Sequence, residues 1–432
     1  MKYFFDGKIL RAPASSQQAI KEHNLRRAFH CVYAEKRVSR AQIAKTLQLT
    51  PTTVSSLIDE LIGLELVRET GDGFAASPGR KPIMLEINRD AMQIPVISFR
   101  RTGLRYVLYD FSCGEVESAF LPFPPELRPK PYNGQGRVEY RFTDGSWLSS
   151  LAIRMFDEQT KLLDRQRVGA VGLVMPGTFQ WGDGKFTSAV LQIRGGIDAV
   201  IQAVRSQFHN VPLLAGNDSA FLACAEYAAA NEPGELVFVN ISHGVGAGII
   251  QNGQLFGGMS DSPCEIGHMS VDIDGLQCVC GNCGCLERYI NQDDLVREAC
   301  GNARIAPEWE VLCDAYRRGN PVVVAAVDQR IRYLLLGISN LVCALGARHI
   351  VLGGGIEGLG DEFLRKVRER APEIGNARRM AGLRFRYTTL AANGECLGAA
   401  RRFIDHCLPI VSRSRGRDFA REDAVYAFGQ SG

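Results

Sequence analysis

The stretch Cys264-Glu265-Ile266-Gly267-His268, continued by Cys278-Val279-Cys280-Gly281-Asn282-Cys283-Gly284-Cys285-Leu286-Glu287-Arg288-Tyr289, decides how this chain is read. Four cysteines fall within eight residues, with a histidine just upstream. Thiolate and imidazole are donors that zinc prefers, and a closed Cys3His site needs four of them gathered by tight turns. Gly275, Gly281 and Gly284 would permit such turns. The candidate ligands are His268, Cys278, Cys280 and Cys285, with Cys283 as a substitute or as a free thiol beside the site. Two disulfides, or thiols buried by chance, are the alternatives; the dense spacing favours metal. The set leaves no open coordination position, so Zn2+ is expected to be structural and to contribute to folding.

The pattern Glu-Ile-Gly-His, then Cys-x-Cys-Gly-x-x-Gly-Cys-Leu-Glu, resembles the signature of the ROK family of sugar kinases and sugar-responsive repressors. The resemblance implies that the metal loop supports a sugar site. It implies that Glu265 and Glu287 reach sugar hydroxyls and that His268 lies at the same pocket.

At 432 residues the chain has room for two or three domains and a sizeable core. A hydrophobic fraction of 46% and a charged fraction of 22% are those of ordinary soluble globular protein. The net charge of +3 does not mark a nucleic-acid binder, but its distribution is uneven. Residues 1–82 carry about five more Lys and Arg than Asp and Glu, while the remainder is slightly acidic. Met1-Lys2-Tyr3-Phe4-Phe5-Asp6 forms no apolar signal region, and no apolar run approaches a membrane span. Thirteen cysteines in such a chain suggest reduced thiols and metal in the cytoplasm, with scattered ones such as Cys31, Cys113, Cys224 and Cys343 packed in the core.

Residues 17–35 space Ile20, Leu25, Phe29 and Val32 as a first helix. Ser39 and Gln42 form a capping box that opens a second helix to about Leu47. Thr50-Pro51 is an N-cap followed by proline at the first helical position, and Val54, Leu57, Ile58 and Leu61 line one face of the third helix. This order predicts a helix-turn-helix whose second helix enters the major groove, with Thr50 at its start and Thr52, Thr53, Ser55 and Ser56 facing DNA. Small hydroxyls suit phosphate and thymine-methyl contacts better than guanine readout. Leu66–Glu69 and Ile83–Ile87 predict a wing with Pro78-Gly79-Arg80-Lys81-Pro82 at its tip. Arg80 and Lys81 would lie in a narrow A·T minor groove. A plain three-helix bundle and a solvated turn are the simpler alternatives. Residues 1–90 as a whole resemble the winged-helix domain of ROK repressors.

In residues 91–432, Ile94–Phe99 and Leu104–Tyr109 read as paired strands with a Cys113-Gly114 turn into a third. The unit recurs as Leu236–Ile241, Gly244–Ile250 and the hairpin dipeptide Asn252-Gly253. Such duplication predicts an α/β body of two lobes with a cleft between them, in agreement with the actin-like, ribonuclease-H-like fold that the resemblance implies. Pro176-Gly177 ends a buried strand and looks like a sugar-contacting turn of the family. Asn217-Asp218 ends another, before a helix from Ala220. By resemblance Asp218 stands where the kinases keep their general base and Asn217 binds a neighbouring hydroxyl; a plain helix cap is the lesser alternative from the residues alone. The Val322–Leu345 helix, with Ile331, Leu334, Leu335, Ile338 and Leu341, is expected in the core. The basic run after Pro409 is expected to be a solvated tail.

Kinases of the family open the body with Asp-x-Gly-Gly-Thr; here Ser98-Phe99-Arg100-Arg101-Thr102 stands in its place. The acid is gone and arginines replace both glycines, which predicts a sugar pocket without phosphoryl transfer. His243 departs from the family pattern in the second loop, Ser242–Gly248, and Leu352-Gly353-Gly354-Gly355 resembles the adenosine-side turn. The reading is therefore a regulator, a repressor rather than an enzyme: operator DNA at the head, a sugar or sugar-phosphate effector in the body, and a homodimer or homotetramer presenting two heads. A ROK sugar kinase carrying a DNA-binding head is the alternative. A protein partner in place of the small effector is a third reading.

Overall fold

The structure is a computed structural model. It describes residues 17–72, 82–129, 142–180, 185–208, 211–230, 234–256 and 264–414. Arg80 and Lys81 lie outside the described residues, as do most of the Pro124–Gly136 loop and the run from Arg415 onward.

The first three helices form at Gln17–Glu35, Arg40–Leu47 and Pro51–Gly63. Ser39 accepts from the Gln42 backbone N–H while the Gln42 side chain accepts from that of Ser39, so the capping box forms in full. The Thr50 hydroxyl accepts from the Thr53 N–H at 3.2 Å. Strands Val67–Asp72 and Ile83–Ile87 pair antiparallel with an irregularity between Glu69 and Asp72, and Val38–Ser39 adds to the far edge.

Two five-stranded sheets repeat one topology. The first orders its strands Glu115–Pro122, Gly103–Asp110, Gln93–Arg100, Val171–Met175, Leu213–Asn217. The second orders them Gln254–Leu255, Val245–Gln251, Leu236–Ile241, His349–Gly353, Arg384–Tyr387. In each, an antiparallel meander is extended by two parallel strands. The strand Gln93–Arg100 is buried along nearly its whole length because it lies between two neighbours with both faces covered. Asn252 and Gly253 both take positive φ, 53° and 78°, as a two-residue hairpin turn requires. A small four-stranded sheet carries Thr178–Gln180 and Lys185–Ser188 beside the cleft.

Helices Asp218–Ala229 and Gly394–Ser414 pack together between the sheets. A Cβ at Gly398 would overlap the Phe221 backbone, and one at Gly248 would overlap Ala223 and the Ser219 carbonyl. Gly398 thus admits the helix, and Gly248 of the second glycine-rich loop serves packing rather than phosphate. The Pro321–Leu345 helix buries Ile331, Leu334, Leu335, Ile338 and Leu341, as core. Two boundaries differ from the sequence reading. The helix after Asn217 begins at Asp218, because Asn217 itself caps it through the Ser219 N–H. The last helix continues through Pro409 to Ser414, so the first residues of the basic run are helical.

Among the described residues no helix is long and apolar enough to cross a membrane.

Candidate metal and ligand site

The metal loop is a set of interlocked turns. Val271 N–H donates to the Gly284 carbonyl at 2.8 Å, Gly284 N–H to Leu276 at 2.8 Å, and Cys278 N–H to Asn282 at 2.8 Å. Gly281 and Gly284 take φ of 95° and 70°. Gly275 is needed for a different reason: a Cβ there would overlap the Tyr289 hydroxyl. Leu286 sits against Gly337, and Tyr289 stacks on Tyr333 at 4.2 Å, which fastens the loop to the Pro321–Leu345 helix.

His268, Cys278, Cys280 and Cys285 bring one donor atom each to within 4.8 Å of one another. Cys278 Sγ is 3.6 Å from His268 Nδ1, and Cys280 Sγ is 3.6 Å from Cys285 Sγ. Bonds of about 2.3 Å to sulfur and about 2.05 Å to nitrogen at tetrahedral angles separate ligand atoms by roughly 3.6–3.8 Å. The donor set therefore fits a tetrahedral ion, and the Cys280–Cys285 separation is far from the ~2.05 Å of a disulfide. Cys283 stands outside this group and donates to Gln277 Oε1 at 3.5 Å.

With Nδ1 turned to the thiols, His268 Nε2 faces Glu265, 3.9 Å from Oε2. Glu265 Oε1 accepts from the Thr178 hydroxyl at 2.6 Å, which links the two sides of the cleft. Thr178 follows Pro176-Gly177; the Gly177 carbonyl accepts from Asn217 Nδ2 at 3.0 Å. Asp218 Oδ1 accepts from the Ser219 N–H at 2.8 Å and Oδ2 from Asn240 Nδ2 at 3.2 Å. Burial, with a contribution from the Glu395 charge, pushes the Asp218 carboxyl up to about 6 against the hydrogen bonds from Ser219. Glu287 Oε2 accepts from the Val245 N–H at 3.2 Å; burial raises its carboxyl, opposed by His268 and that N–H.

Among the residues singled out for the pocket, Asn217 bonds Gly177, the neighbouring Thr178 bonds Glu265 and His268 lies beside Glu265, while Asp218 and Glu287 are tied to Asn240 and Val245. Four partners were not visible as site residues in the sequence: Thr178, Asn240, Asp293 and Glu395. Asn240 had a signal, being the one polar residue in the apolar run Leu236–Ile241.

The turn from Ser98 to Thr102 is tied to its surroundings. Ser98 Oγ donates to Glu395 Oε1 at 2.9 Å, and Arg100 binds Glu395 and the Ala392 carbonyl. Arg101 reaches Asp293 of the second lobe at 3.0 Å, and His243 Nδ1 lies 2.8 Å from the same carboxylate. Burial alone would raise the Asp293 carboxyl, but His243, Arg101 and Arg297 outweigh it and hold it below its ordinary value. In the turn after His349–Gly353, Gln292 donates to the Gly354 carbonyl and Trp309 to that of Gly355.

Among the groove candidates of the third helix, Thr52 and Ser56 are exposed, while Thr53 and Ser55 are half-buried. The Thr50 and Thr53 hydroxyls lie 2.8 Å apart and bond to each other.

A putative xylose repressor of Caldicellulosiruptor sp. (strain Rt8B.4) is 25% identical across 81% of this chain and 87% of its own length. The crystal structure of a ROK family transcriptional regulator, a homolog of the Escherichia coli MLC protein, superposes with a TM-score of 0.73 at 21% identity, covering 91% of this chain and 98% of its own. A ROK family glucokinase from Streptomyces griseus, solved with glucose and AMPPNP, superposes at 0.58 with 20% identity, covering 72% and 98%. These likenesses establish the two-lobed, actin-like fold. The ROK family profile matches residues 147–403, more than half of the sequence and the whole metal loop within it, so the chain belongs to the ROK family.

Proposed function

We propose that this chain is a DNA-binding transcriptional regulator of carbohydrate genes, acting as a repressor under the control of a sugar or sugar phosphate. In this reading residues 1–90 form a winged helix-turn-helix head and residues 91–432 the sensing body. Thr50, Thr52, Thr53, Ser55 and Ser56 meet the operator in the major groove, with Arg80 and Lys81 in the minor groove. Pro176, Gly177, Asn217, Asp218, Glu265, His268 and Glu287 hold the effector. Similarity to a protein named as a xylose repressor supports it.

The observation that carries the proposal is one helix with an end at each place. Glu395, in the first turn of Gly394–Ser414, holds Ser98 and Arg100 at the cleft. Further along the same helix Arg401 and Asp405 face Tyr33 and His30 of the first helix. The first helix also donates from the Tyr33 hydroxyl to the Ser112 carbonyl at 3.0 Å, and Phe29 packs against Phe111. An effector that shifts Glu395 and its partners changes where the head is held. It acts only by binding one arrangement better than the other, and tenfold in DNA affinity corresponds to about 1.4 kcal/mol of coupling.

The metal is Zn2+ in this reading, since three thiolates and an imidazole in a closed tetrahedron match zinc better than harder ions. It holds His268 and the loop bearing Glu265 and Glu287 in place, and takes no part in bond chemistry. A symmetric dimer or tetramer presents two heads to half-sites one helical turn, or a multiple, apart.

An Asp218 carboxyl near 6 would suit a general base, and this favours the kinase as a second reading. Against it, Arg101, Asp293 and His243 fill the phosphate turn with one another. ATP-dependent phosphorylation of hexoses that is lost in Asp218→Asn would establish it.

The deciding experiment titrates DNA from the chain's own upstream region at fixed salt, with and without a panel of sugars and sugar phosphates. Salt is fixed because phosphate contacts are strongly salt-dependent. One sugar altering specific binding is the expected result; absence of any specific DNA binding overturns the proposal.

A further inference from the structure

We infer that the cleft takes a neutral, unphosphorylated sugar and discriminates against its phosphate esters, through the paired cations and occupied amides of the two lobes' turns. The inference rests on the regulator reading and narrows its effector.

A phosphate ester brings close to two negative charges at neutral pH. To bind, it needs cationic side chains or unoccupied backbone N–H groups aimed at it. At the turns of residues 98–102 and 242–248, Arg100, Arg101 and His243 are each engaged. Arg100 is held by Glu395, by the Ala392 carbonyl at 2.8 Å and by Asn393 Oδ1 at 3.4 Å. Arg101 is held by Asp293, and so is His243.

Three amides of the glycine-rich turns are engaged as well, two of them by acids. Val245 N–H donates to Glu287. Gly355 N–H donates to Glu357 Oε2 at 3.0 Å. The Ser242 N–H is used inside its own loop, on the Gly244 carbonyl at 2.9 Å. A phosphate entering either turn would have to displace a carboxylate and then lie beside it.

The remaining polar groups of the pocket suit hydroxyls. Asp218, Glu265 and Glu287 are acceptors, and the Thr178 hydroxyl, whose hydrogen is on Glu265, is a further acceptor. Sugar hydroxyls donate to such groups, and carboxylates accept more than one hydrogen bond each. A dianion facing three carboxylates meets like charge instead.

The same geometry marks Asp293 as the residue that enforces the choice. It pairs with the Arg101 charge and bonds the His243 ring nitrogen. In Asp293→Asn the Arg101 guanidinium loses its counter-charge, and the turn gains an anion site.

The test measures thermal stabilisation and DNA-binding shifts with D-xylose, D-glucose and N-acetyl-D-glucosamine, beside glucose 6-phosphate and N-acetylglucosamine 6-phosphate. Expected is one neutral sugar acting at concentrations on the order of a hundredfold below its own phosphate ester, with the gap narrowing at least about tenfold in Asp293→Asn. A phosphate ester that binds more tightly than its parent sugar overturns the inference and leaves the regulator reading standing. An unchanged gap in an Asp293→Asn protein that folds and binds DNA overturns the role of Asp293. If neither class binds while DNA does, the cleft is no sugar sensor, and both the inference and the effector part of the reading fail.

Discussion

Arg401 lays its guanidinium 4.1 Å from the centre of the Tyr33 ring, and one helical turn later Asp405 faces His30 across 3.9 Å. These contacts join the first helix of the chain to the last. Glu395, on the same last helix, belongs to the cleft. From Glu395 to Asp405 the rise is about 15 Å. A packed helix moves as a unit over that length, so displacement at one end is felt at the other.

Arg401→Ala therefore uncouples the two ends. A partly desolvated cation–π contact is worth about 1–2 kcal/mol. DNA binding and sugar binding are each expected to persist, while the ratio of DNA affinities with and without sugar falls toward one. Titrations of labelled operator in both conditions measure it. A full ratio in Arg401→Ala removes the helix as the route.

His30 supplies a pH signature at the same contact. Burial lowers its pKa, only partly offset by Asp405, so it is neutral in the folded chain at pH 7. As pH falls below about 6.5 the unfolded chain takes up a proton that the folded one refuses. Stability contributed by a neutral His30 is thus present above that pH and lost below it. Thermal unfolding followed from pH 7.5 to pH 5 should show a steeper acid loss in the wild type than in His30→Gln; equal slopes would clear His30 of the effect.

The metal loop gives a stoichiometric test. Cys278→Ser and Cys285→Ser each remove a ligand buried in the tetrahedron. Both are expected to drop from one zinc per chain to none, with several kcal/mol of stability lost, roughly 10 °C in Tm. Cys283→Ser is expected to keep its zinc, because that thiol faces Gln277 instead. Full zinc in both of the first two variants would sink the ligand assignment.

How much of this was legible beforehand depended on whether the determinant was local. Ser39 and Gln42, Thr50 and Pro51, and Asn252 and Gly253 each carry their structure in neighbouring residues, and each formed as read. The cluster of His268, Cys278, Cys280 and Cys285 was legible because turns bring nearby cysteines to one another. Arg101 and Asp293 were not, being far apart in the chain and joined only by the tertiary fold. The same holds for Ser98 with Glu395: the serine is read locally, while the glutamate that accepts from it comes from the last helix. Glu226 is a further case, fully buried and bonded to Arg386, Thr388 and Thr389 where the chain leaves the second sheet, with no local mark of that role.

Asp218 allows the cleft to be tested by pH alone. Its carboxyl sits near 6, raised first by burial and then by Glu395, so it changes charge within an accessible range. Because the folded value lies above the ordinary one, ionisation is disfavoured by folding. The stability this group contributes is full at low pH and declines as pH rises from about 4 through 6. Sugar binding should show the reverse trend, since an ionised carboxylate accepts a hydroxyl hydrogen more strongly than a protonated one. A hydrogen bond to a charged group exceeds a neutral one by about 1 kcal/mol, or roughly fivefold in affinity. Affinity for the sugar that acts on the wild type is expected to rise about that much between pH 5 and 7, with a midpoint near 6. In Asp218→Asn the profile should be flat and the affinity low throughout. Calorimetric titration across that range checks it. A profile that keeps its midpoint in Asp218→Asn assigns the titration to another group and removes Asp218 from the hydroxyl contacts.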